Sequence, residues 1–554
     1  MEQTWFDQYE KPMISGMRPE KYTSLVDVFQ SSVKKFSSNS AFINLSHKLT
    51  FDDVDLLSRQ FASYTQSIGL QKGDTVALML PNVMQYPVAM YGLLLAGLTV
   101  VNVNPHCKPN QLQQQLTDAN VSTIVIAENY ASLLSDVLQK TKIKNIITTQ
   151  LGDLLPSPRR FVVNFNEKRV KKLVPEFELP SSVTFIQALS IGEKHEFVQP
   201  HINGDDIAFI QYTSGTTGDC KGAMLTHRNM VANLEQMGEM FDRVITPETD
   251  LVVTALPLYR IFALTSNCLT FFSYGCPNLL ILNPKDLLTC IRELKKNPFA
   301  VLTGDHAFFT DLLSSPGFTE LDFKDLKFAL CSGMAVQQDV AELWQEVTGK
   351  TLVEGYGLTE CSPVVCVNPI VNKSHRGSIG LPLPDTEIKI TDPNGKFVGI
   401  GEPGELHVKG PQVMRGYFGR EQATKDILCD GWLATGDMAK YDEEGYIYLV
   451  DRKKDMILVS GFSVFPNEIE EIASMHDAVK EVAAIGVPHQ VSGEVVKLFV
   501  VRKYPYLTKE EIIAHCESLL TGYKVPKLID FVDELPKSNV GKTLRRELRK
   551  SEAS

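Results

Sequence analysis

Alternation of two kinds of apolar segment through the first third of the chain most constrains its fold. The strand-like segments are residues 75–80, 98–103, 122–127 and 144–149. Each follows a helix-like segment, and these are residues 51–70, 87–97, 111–120 and 131–141. Strand–helix alternation at this spacing predicts parallel sheets with helices on both faces. Ligands of such sheets usually bind in a crevice at the carboxyl ends of the strands.

The chain is long enough for more than one domain. It has 554 residues, and single hydrophobic cores seldom grow beyond about 250–300 residues. We predict an α/β protein whose large N-terminal domain, residues 1–450, holds parallel and mixed sheets with flanking helices. Residues 451–554 predict a small, mobile α+β domain, because they contain two helical segments, two strand segments and a basic tail.

Charge and cysteine usage narrow the class of protein. The net charge is −11, which argues against bulk attraction to nucleic acid. Ten cysteines occur without a C-x-x-C pair, and the closest two are Cys361 and Cys366. This spacing argues against a zinc site or a disulfide framework and favours a reducing cytoplasm. The first residues, MEQTWFDQYEKP, are polar and do not resemble a secretory signal.

Two further segments bear on membranes. The longest apolar run, residues 88–101, is shorter than the roughly 20 residues of a spanning helix and predicts a buried helix followed by a buried strand. Residues 157–180 are basic and aromatic and lie between prolines. They fit either a solvated surface insertion or a patch that contacts anionic lipid, so membrane contact would be peripheral.

A dense run of glycines and hydroxyls surrounds Lys221. The stretch YTSGTTGDCKGAMLTH, residues 212–227, lies between a strand-like and a helix-like segment. Glycines let successive backbone N–H groups point inward as an anion-binding nest, and Lys221 adds a positive charge. This composition predicts a phosphate-binding loop. Its members are Thr213, Ser214, Gly215, Thr216, Thr217, Gly218, Lys221 and Gly222.

This loop is not the common P-loop, whose lysine directly follows the second glycine and precedes Ser or Thr. Lys221 comes three residues after Gly218 and precedes Gly222. The run instead closely resembles the phosphate loop of adenylate-forming (AMP-binding) enzymes, which include acyl-CoA synthetases, luciferases and peptide-synthetase adenylation domains. Three further motifs agree in content and order: GYGLTEC at 355–361, the segment 432–470, and PKSNVGKTLRREL at 536–548. With LPLYRIFAL and LTGYKVPKL, the set is closest to bacterial long-chain fatty-acid–CoA ligases.

The resemblance implies a two-step reaction. A fatty acid would attack the α-phosphate of Mg²⁺-bound ATP to give acyl-AMP and pyrophosphate, and coenzyme A would then displace AMP. Catalysis of the first step would be mostly positioning and charge stabilisation. The implied partners are a fatty acid and coenzyme A, and a homodimer is left open.

The resemblance also assigns roles to individual residues. Glu360 and Thr216 would hold Mg²⁺, and Glu360, Thr213, Lys221 and Lys542 would be catalytic. Lys542 would bridge the substrate carboxylate and the α-phosphate, and Asp451 would be the hinge on which the small domain rotates between the two steps. The nucleotide would contact Gly355, Tyr356, Gly357, Thr359, Asp437 and Arg452, besides the phosphate loop and Lys542. The acyl and thiol substrates would contact Tyr259, Arg260, Gly333 and Gly461.

Some residues depart from the family pattern. Arg260 stands where long-chain members usually have histidine, and Cys331 and Ser332 stand where a glycine-rich run is usual. These departures leave the reaction type intact and open the question of chain length. The alternatives are a ligase for medium-chain or modified acids, a fatty acyl-AMP ligase that transfers to a carrier-protein thiol, and a non-catalytic acyl-binding protein.

Overall fold

The computed structural model describes residues 22–213, 220–333, 336–370, 377–537 and 543–552. By compactness the chain divides into two units. Unit 1 comprises residues 1–214, 220–387 and 408–433. Unit 2 comprises residues 215–219, 388–407 and 434–554. The predicted boundary at Asp451 stays a prediction, since the compact units also assign residues 388–407 and 434–450 to unit 2.

Unit 1 contains a nine-stranded sheet, counted over the described residues. Its strands, in spatial order, are Leu381–Pro382, Val364–Val367, Leu352–Gly357, Phe328–Ser332, Val301–Gly304, Val252–Thr254, Asn278–Leu280, Ser40–Asn44 and His47–Thr50. The central strands run parallel and are almost wholly apolar. Such strands are covered on both faces, which is why they read as continuous hydrophobic runs.

A second sheet of unit 1 has eight strands within the described residues. In spatial order they are Gly416–Tyr417, Lys221–Thr226, Ile207–Thr213, Thr99–Asn102, Thr75–Met79, Thr123–Ala127, Asn145–Thr149 and Val183–Thr184. The strands from Ile207–Thr213 to Val183–Thr184 are parallel, and Lys221–Thr226 and Gly416–Tyr417 extend the sheet antiparallel. A short hairpin, Leu428–Cys429 against Trp432 and Leu433, also belongs to unit 1.

Helices pack against these sheets. Those of unit 1 are Leu25–Phe36, Phe51–Ser67, Gln85–Leu95, Pro109–Asp118, Ala131–Val137, Arg159–Phe165, Phe185–Gly192, His227–Phe241, Phe271–Ser273, Leu287–Lys296, His306–Leu313, Gln338–Thr348 and Glu421–Lys425. Several begin at a capping box, in which a Ser or Thr side chain and the third helical residue satisfy each other's backbone N–H groups. Ser24, Thr50, Thr184 and Thr226 are caps of this kind.

Unit 2 combines a small antiparallel sheet with an α+β core. The first sheet uses most of the strands Glu387–Thr391, Gly404–Lys409 and Trp432–Tyr441 and all of Ile447–Arg452. Glu387, residues 408–409 and residues 432–433 of these strands are assigned to unit 1. The second uses Phe462–Val464, Ile457–Val459, Gly493–Arg502, Val479–His489 and Leu528–Phe531. Helices Pro466–Ser474 and Lys509–Leu519 cover the second sheet with an apolar cluster, and Arg545–Glu552 is the last described helix.

The eight segments predicted by alternation are confirmed as strands and helices close to the expected bounds. The predicted α/β class with a large N-terminal part and a small C-terminal part is confirmed as well. Residues 88–101 form the end of a fully buried helix and a buried strand. Among the described residues, no helix has both the length and the apolar character needed to cross a bilayer.

Candidate active site

The predicted phosphate loop joins two antiparallel strands of the second sheet. Thr213 ends one strand, Lys221 begins the next, and the two residues face each other across the hairpin. The Thr213 hydroxyl donates to the Lys221 carbonyl over 3.4 Å. Ser214, Gly215, Thr216, Thr217 and Gly218 lie outside the described residues. The hairpin therefore fixes the two ends of the loop by strand register.

Gly222 leaves no room for a side chain. A Cβ placed on it would lie 2.6 Å from Cγ2 of Ile210 and 3.2 Å from the Tyr212 ring. The Gly222 carbonyl also accepts the N–H of Phe418 over 2.8 Å. Glycine at this position thus lets the strand pack tightly beside Lys221, a steric reason that does not depend on any phosphate contact.

Tyr417 links the lysine of the loop to Glu360. The Lys221 ammonium lies 5.1 Å from the centroid of the Tyr417 ring, within the range of cation–π attraction. The Tyr417 hydroxyl donates to Oε1 of Glu360 over 2.6 Å. Burial, followed by the charge of Glu360, raises the pKa of Tyr417, so its hydroxyl stays a proton donor at neutral pH. Three side chains of unit 1 are therefore held in one charged constellation.

Backbone contacts hold this constellation in place. Gly416–Tyr417 pairs with Met224 and Ala223 of the loop's second strand. The Glu360 carbonyl accepts the Met414 N–H over 2.8 Å. Side chains provide a second set of contacts. The hydroxyl of Tyr212 donates to Asp118 over 2.9 Å, and Arg420 lies 3.1 Å from the same carboxylate.

Glu360 has the chemistry of a magnesium ligand. Mg²⁺ prefers oxygen ligands and usually takes only one or two protein carboxylates together with phosphate oxygens and water. Among the described residues, no group of three or more His, Cys, Asp or Glu side chains is arranged so that it could hold a metal ion. Glu360 supplies a single, oriented carboxylate. The residues present therefore fit a magnesium ion carried by a triphosphate, in which Thr216 would be the second predicted ligand.

The rest of the GYGLTEC motif surrounds Glu360. Gly355 and Tyr356 lie in the strand Leu352–Gly357, where Tyr356 is buried. Thr359 and Glu360 belong to one turn of 3₁₀ helix, Thr359–Cys361. A Cβ on Gly357 would lie 2.3 Å from the Pro363 carbonyl oxygen. The motif thus folds back on itself directly after a sheet strand, at the position expected for a ligand-binding turn.

A buried polar network holds the loop that carries Tyr259 and Arg260. Gln211 donates to the Tyr259 carbonyl over 2.6 Å and accepts from Asn102 over 3.1 Å. The backbone N–H of Leu258 donates to Oδ1 of Asn82 over 2.8 Å. Because buried polar groups are costly to leave unsatisfied, these side chains fix the loop's backbone. Gln211 lies two residues before Thr213 on the same strand.

Arg260 has an acidic neighbour in this structure. Its Nη1 lies 3.8 Å from Oδ2 of Asp305, which also caps the helix His306–Leu313. Both side chains are about one-quarter to one-third exposed. Cys331 and Ser332 end the strand Phe328–Ser332, with Gly333 next, and burial raises the pKa of the Cys331 thiol. Cys331 is therefore a neutral apolar side chain.

In unit 2, Asp437 and Arg452 face each other on paired strands. Nε of Arg452 lies 2.6 Å from Oδ1 of Asp437, and the Asp437 side chain is 8% exposed. The Asp437 N–H donates to the Thr435 hydroxyl over 3.1 Å. The two residues predicted to contact the ribose therefore occupy one site within unit 2, where the arginine orients the carboxylate.

Asp451 is buried and held by several donors. Its Oδ1 accepts the Arg452 N–H over 2.7 Å and its Oδ2 accepts the Asn467 N–H over 2.8 Å. Arg545 lies 3.7 Å from Asp451 and makes two shorter contacts, of 3.0 and 2.7 Å, to Glu470. Burial raises the pKa of Asp451, and Arg545 opposes that rise.

Gly461 and Lys542 are two further residues of unit 2 for which the resemblance predicts a role. Gly461 lies in the two-residue turn between Ile457–Val459 and Phe462–Val464, with φ of +83°, a conformation that favours glycine in such turns. Lys542 and its neighbour Gly541 lie outside the described residues. Arg545, three residues further on, begins the last helix. The roles assigned to all of these side chains stay predictions.

Sequence reasoning missed Tyr417, Gln211 and Arg545. Tyr417 carries a weak signal, since it is an aromatic residue between Gly416 and Phe418 in a glycine-containing stretch. Gln211 is a polar residue inside the strand-like run before the phosphate loop, and a polar residue in a buried strand calls for a partner. Arg545 lies in a run of similar basic residues, and only its buried surroundings distinguish it.

Comparisons with known proteins place this chain among the AMP-binding enzymes. The family model described as "AMP-binding enzyme" matches residues 29–418, and the model of the AMP-binding enzyme C-terminal domain matches residues 468–542. A long-chain-fatty-acid–CoA ligase of Escherichia coli O6:H1 is 52% identical over 550 residues, covering 99% of this chain and 98% of that relative. One from Haemophilus influenzae is 49% identical over 555 residues, covering 100% of this chain and 99% of that relative.

Solved structures agree in fold. The anthranilate–CoA ligase AuaEII in complex with anthranoyl-AMP aligns with a TM-score of 0.82 at 22% identity, covering 97% of this chain and 98% of that one. ATP-bound MatB from Rhodopseudomonas palustris aligns with a TM-score of 0.77 at 26% identity, covering 95% and 98%. The predicted adenylate-forming fold and acid–thiol ligase class are thus confirmed. The chain belongs to the AMP-binding enzyme family, as a bacterial acyl-CoA synthetase of the adenylate-forming superfamily.

Proposed function

We propose that this chain is an AMP-forming long-chain fatty acid–CoA ligase. The carboxylate oxygen of the fatty acid attacks the α-phosphorus of ATP, and the bond to the β-phosphate oxygen breaks, giving acyl-AMP and pyrophosphate. The thiolate sulfur of coenzyme A then attacks the acyl carbon, and AMP leaves with the electron pair of the broken acyl–oxygen bond. ATP and coenzyme A are consumed as substrates, and magnesium neutralises charge on the phosphate oxygens when it is bound.

The Lys221–Tyr417–Glu360 constellation carries this proposal. It supplies a cation, a fixed hydroxyl donor and one oriented carboxylate beside the ends of the phosphate loop. Adenylation builds negative charge on phosphoryl oxygens, so preorganised charge contributes most of the rate. Lys221 would contact phosphate oxygens, and Tyr417 would hold Glu360 in the rotamer that presents its carboxylate. Thr359, one residue away, would contact the α-phosphate.

The remaining assignments follow the family pattern. Asp437 would accept hydrogen bonds from the ribose hydroxyls while Arg452 orients its carboxylate. Lys542 would bridge the acyl carboxylate and the α-phosphate during adenylation, and Asp451 would act as the hinge between the two half-reactions. Gly461 would line the path of the thiol.

The long-chain substrate is proposed because relatives at 49–52% identity, which cover this chain almost completely, are named as long-chain-fatty-acid–CoA ligases. A second candidate, a ligase for medium-chain or modified acids, is favoured by one observation. Arg260 with Asp305 places a permanent cation on the loop expected to contact the acyl chain, and covering a charge with methylene groups is unfavourable. A fatty acyl-AMP ligase that transfers to a carrier protein would share the first step and differ in the thiol acceptor.

The place of action proposed is the cytoplasm, with peripheral contact at the membrane. All ten cysteines lie in the described parts of the chain and are free thiols, nine of them buried, which suits a reducing compartment. The oligomeric state stays open between monomer and homodimer.

The central test uses ATP labelled at the α- and γ-phosphates. With fatty acid present we expect labelled AMP and pyrophosphate, and with coenzyme A present we expect acyl-CoA. Lys542→Ala should slow adenylation by about 10²–10³-fold while largely sparing thioester formation from pre-made acyl-AMP. Release of ADP and orthophosphate would overturn the proposed reaction. Equal loss of both half-reactions in Lys542→Ala would overturn the role proposed for Lys542. Carrier protein in place of coenzyme A separates the two acceptors.

A further inference from the structure

Glu354 is a buried carboxylate that the proposed reaction does not use. It lies in the strand Leu352–Gly357, directly before the GYGLTEC motif, and is 9% exposed. In the sheet it lies beside Cys331 of the parallel strand Phe328–Ser332. Because a buried charge is costly unless other groups satisfy it, the partners of this carboxylate indicate its role.

Both carboxylate oxygens of Glu354 accept hydrogen bonds from the backbone. Oε1 accepts the N–H of Val336 over 3.0 Å, and Oε2 accepts the N–H of Gly377 over 3.2 Å. Burial raises the pKa of the Glu354 carboxyl, and the two N–H donors oppose that rise because they favour its charged form. The two donors belong to loops that follow different strands. One carboxylate therefore holds two loops against the strand that leads into the GYGLTEC motif.

The first of these loops joins the strand Phe328–Ser332 to the helix Gln338–Thr348, and we call it the Gly333 loop. The resemblance assigns Gly333 a substrate contact. Gly333 is exposed, and a Cβ on it would have none of the described atoms within 4 Å. Val336, by contrast, packs against the apolar cluster of the neighbouring sheet and helices. The bond to Glu354 thus fixes the backbone of the Gly333 loop close to an open position.

The second loop has further contacts with the sheet. Ser378, next to Gly377, is 1% exposed, and its carbonyl accepts the side-chain amide of Asn368 over 2.7 Å. A Cβ on Gly380 would lie 2.1 Å from the backbone carbonyl carbon that precedes Asn368. The backbone N–H of Asn368 in turn donates to the Glu354 carbonyl over 2.9 Å. The second loop is therefore packed closely on the strand and gives the Glu354 carboxylate a fixed partner.

We propose that Glu354 is a positioning residue that holds the Gly333 loop in place against the acyl substrate. The inference rests on the proposed function, because the ligase reaction requires an ordered acyl site. Glu354 acts through the loop and not on the reacting atoms, since both of its oxygens already accept backbone N–H groups. Placement of this kind matters, because a displacement of about 1 Å can lower a rate by about 100-fold.

The nucleotide side of the site is held by other contacts. Gly355 is paired with neighbouring strands on both sides, and Tyr356 is paired with the antiparallel strand. Glu360 is oriented by Tyr417. Loss of the Glu354 carboxylate should therefore affect the fatty acid more than ATP, which separates positioning of the acyl site from a general loss of structure.

The test replaces Glu354 with glutamine in the full chain. Glutamine has the same shape but presents an NH₂ donor in place of one acceptor oxygen, so one of the two backbone N–H groups loses its acceptor. In pyrophosphate release we expect the KM for a sixteen-carbon fatty acid to rise by about tenfold or more, and the KM for ATP to change by less than about twofold. In hydrogen exchange without substrates, the N–H of Val336 or of Gly377 should exchange about tenfold faster or more.

Two further variants accompany this comparison. Glu346→Gln changes an exposed carboxylate of the helix Gln338–Thr348 and should match the parent in both KM values and in hydrogen exchange. Glu354→Asp keeps the charge but is one methylene shorter, so it cannot reach both N–H groups. It should also raise the KM for the fatty acid, and it provides the test if Glu354→Gln does not fold, which thermal unfolding checks.

Three outcomes would overturn the proposal. The first is unchanged hydrogen exchange at residues 336 and 377 in Glu354→Gln. The second is a lower kcat or a lower thermal stability with an unchanged KM for the fatty acid, which would make Glu354 a structural residue only. The third is an equal rise in both KM values. Failure of the ligase function would instead appear as absence of AMP formation by the parent, and hydrogen exchange would still decide whether Glu354 holds the two loops.

Discussion

The hydroxyl of Tyr417 donates to Oε1 of Glu360 over 2.6 Å while its ring lies 5.1 Å from the ammonium of Lys221. One side chain thus touches the charged residues of two separate motifs. A hydrogen bond to a charged group contributes about 1.5–3 kcal/mol, and an exposed cation–π contact contributes about 0.5–1 kcal/mol. Tyr417 is accordingly a positioning residue for both partners.

Tyr417→Phe should lower kcat/KM for ATP in pyrophosphate release by about 10–100-fold, because Glu360 loses its orienting donor. The ring and its contact with Lys221 remain in this variant. Tyr417→Leu should cost about a further 2–5-fold through loss of the cation–π contact. Phe418→Leu, at the neighbouring position, is the control and should be near normal. A parental rate for Tyr417→Phe would refute the positioning role.

Arg260→His should shift the acyl preference toward longer chains. The guanidinium is held near Asp305 at 3.8 Å, and each buried methylene contributes about 0.8 kcal/mol. If the cation prevents burial of one or two methylenes, the ratio of kcat/KM for sixteen-carbon over eight-carbon acids should rise by about 4–15-fold in the variant.

The readout for Arg260 is AMP release across a ladder of unbranched acids. Arg292→His, on the exposed side of helix Leu287–Lys296, is the control and should leave the ladder unchanged. If Arg260→His and the parent released AMP at the same rates for every chain length, Arg260 would not set the acyl preference.

Arg545→Met should destabilise unit 2 by about 3–5 kcal/mol, the usual cost of removing one partner from a buried ion pair. Arg545 is 10% exposed and contacts Glu470 at 2.7 Å, with Asp451 and Asp455 each at 3.7 Å. The loss leaves Asp451 and Glu470 without the arginine that faces them, whereas Asp455 keeps Arg549 at 2.9 Å.

The free energy of unfolding is read by hydrogen exchange of the paired strands Val479–His489 and Gly493–Arg502. Arg546→Met is the matched control, because Arg546 pairs with Glu547 at a surface site where ion pairs contribute about 0–1 kcal/mol. Equal effects of the two changes would show that the Arg545 cluster does not stabilise unit 2.

His227 should make stability depend on pH. It is 2% exposed, its Nδ1 accepts the Leu25 N–H over 3.2 Å, and burial lowers its pKa to about 4 from 6.5. The unfolded chain binds the proton first, so stability is unaffected above about pH 6.5 and falls as the pH drops toward 4. The contribution lost is about 3 kcal/mol.

The corresponding measurement is urea unfolding between pH 7 and pH 4. His227→Asn should flatten the decline by about that amount, even though it lowers stability at pH 7. His201→Asn changes an exposed histidine and should leave the curve parallel to the parent's. Parallel curves for His227→Asn and the parent would mean that this histidine does not drive the acid loss.

Most of what could be predicted from the sequence came from patterns within consecutive residues. The apolar segments alternate in period because helices and strands present side chains differently, so the strands and helices of residues 51–149 followed from the sequence. The phosphate loop is likewise predicted from one run, since a nest needs successive glycines and donors, and its role stays a prediction. Cys361 and Cys366, the two cysteines closest in sequence, are both free thiols and both buried.

Only the tertiary structure decided which residues from distant parts of the chain contact these local segments. Tyr417 reaches Lys221 and Glu360 because the strand Gly416–Tyr417 pairs with residues 223 and 224, almost two hundred positions earlier. Arg545 differs from Arg546 only in what packs around it. The insertion was read as basic and aromatic, but the sequence could not say which side faces outward, because the helix is followed by a π-helical turn that breaks the regular 3.6-residue period. Local periodicity and dense motifs are properties of neighbouring residues, whereas partners across a sheet and burial of a charge depend on the whole fold.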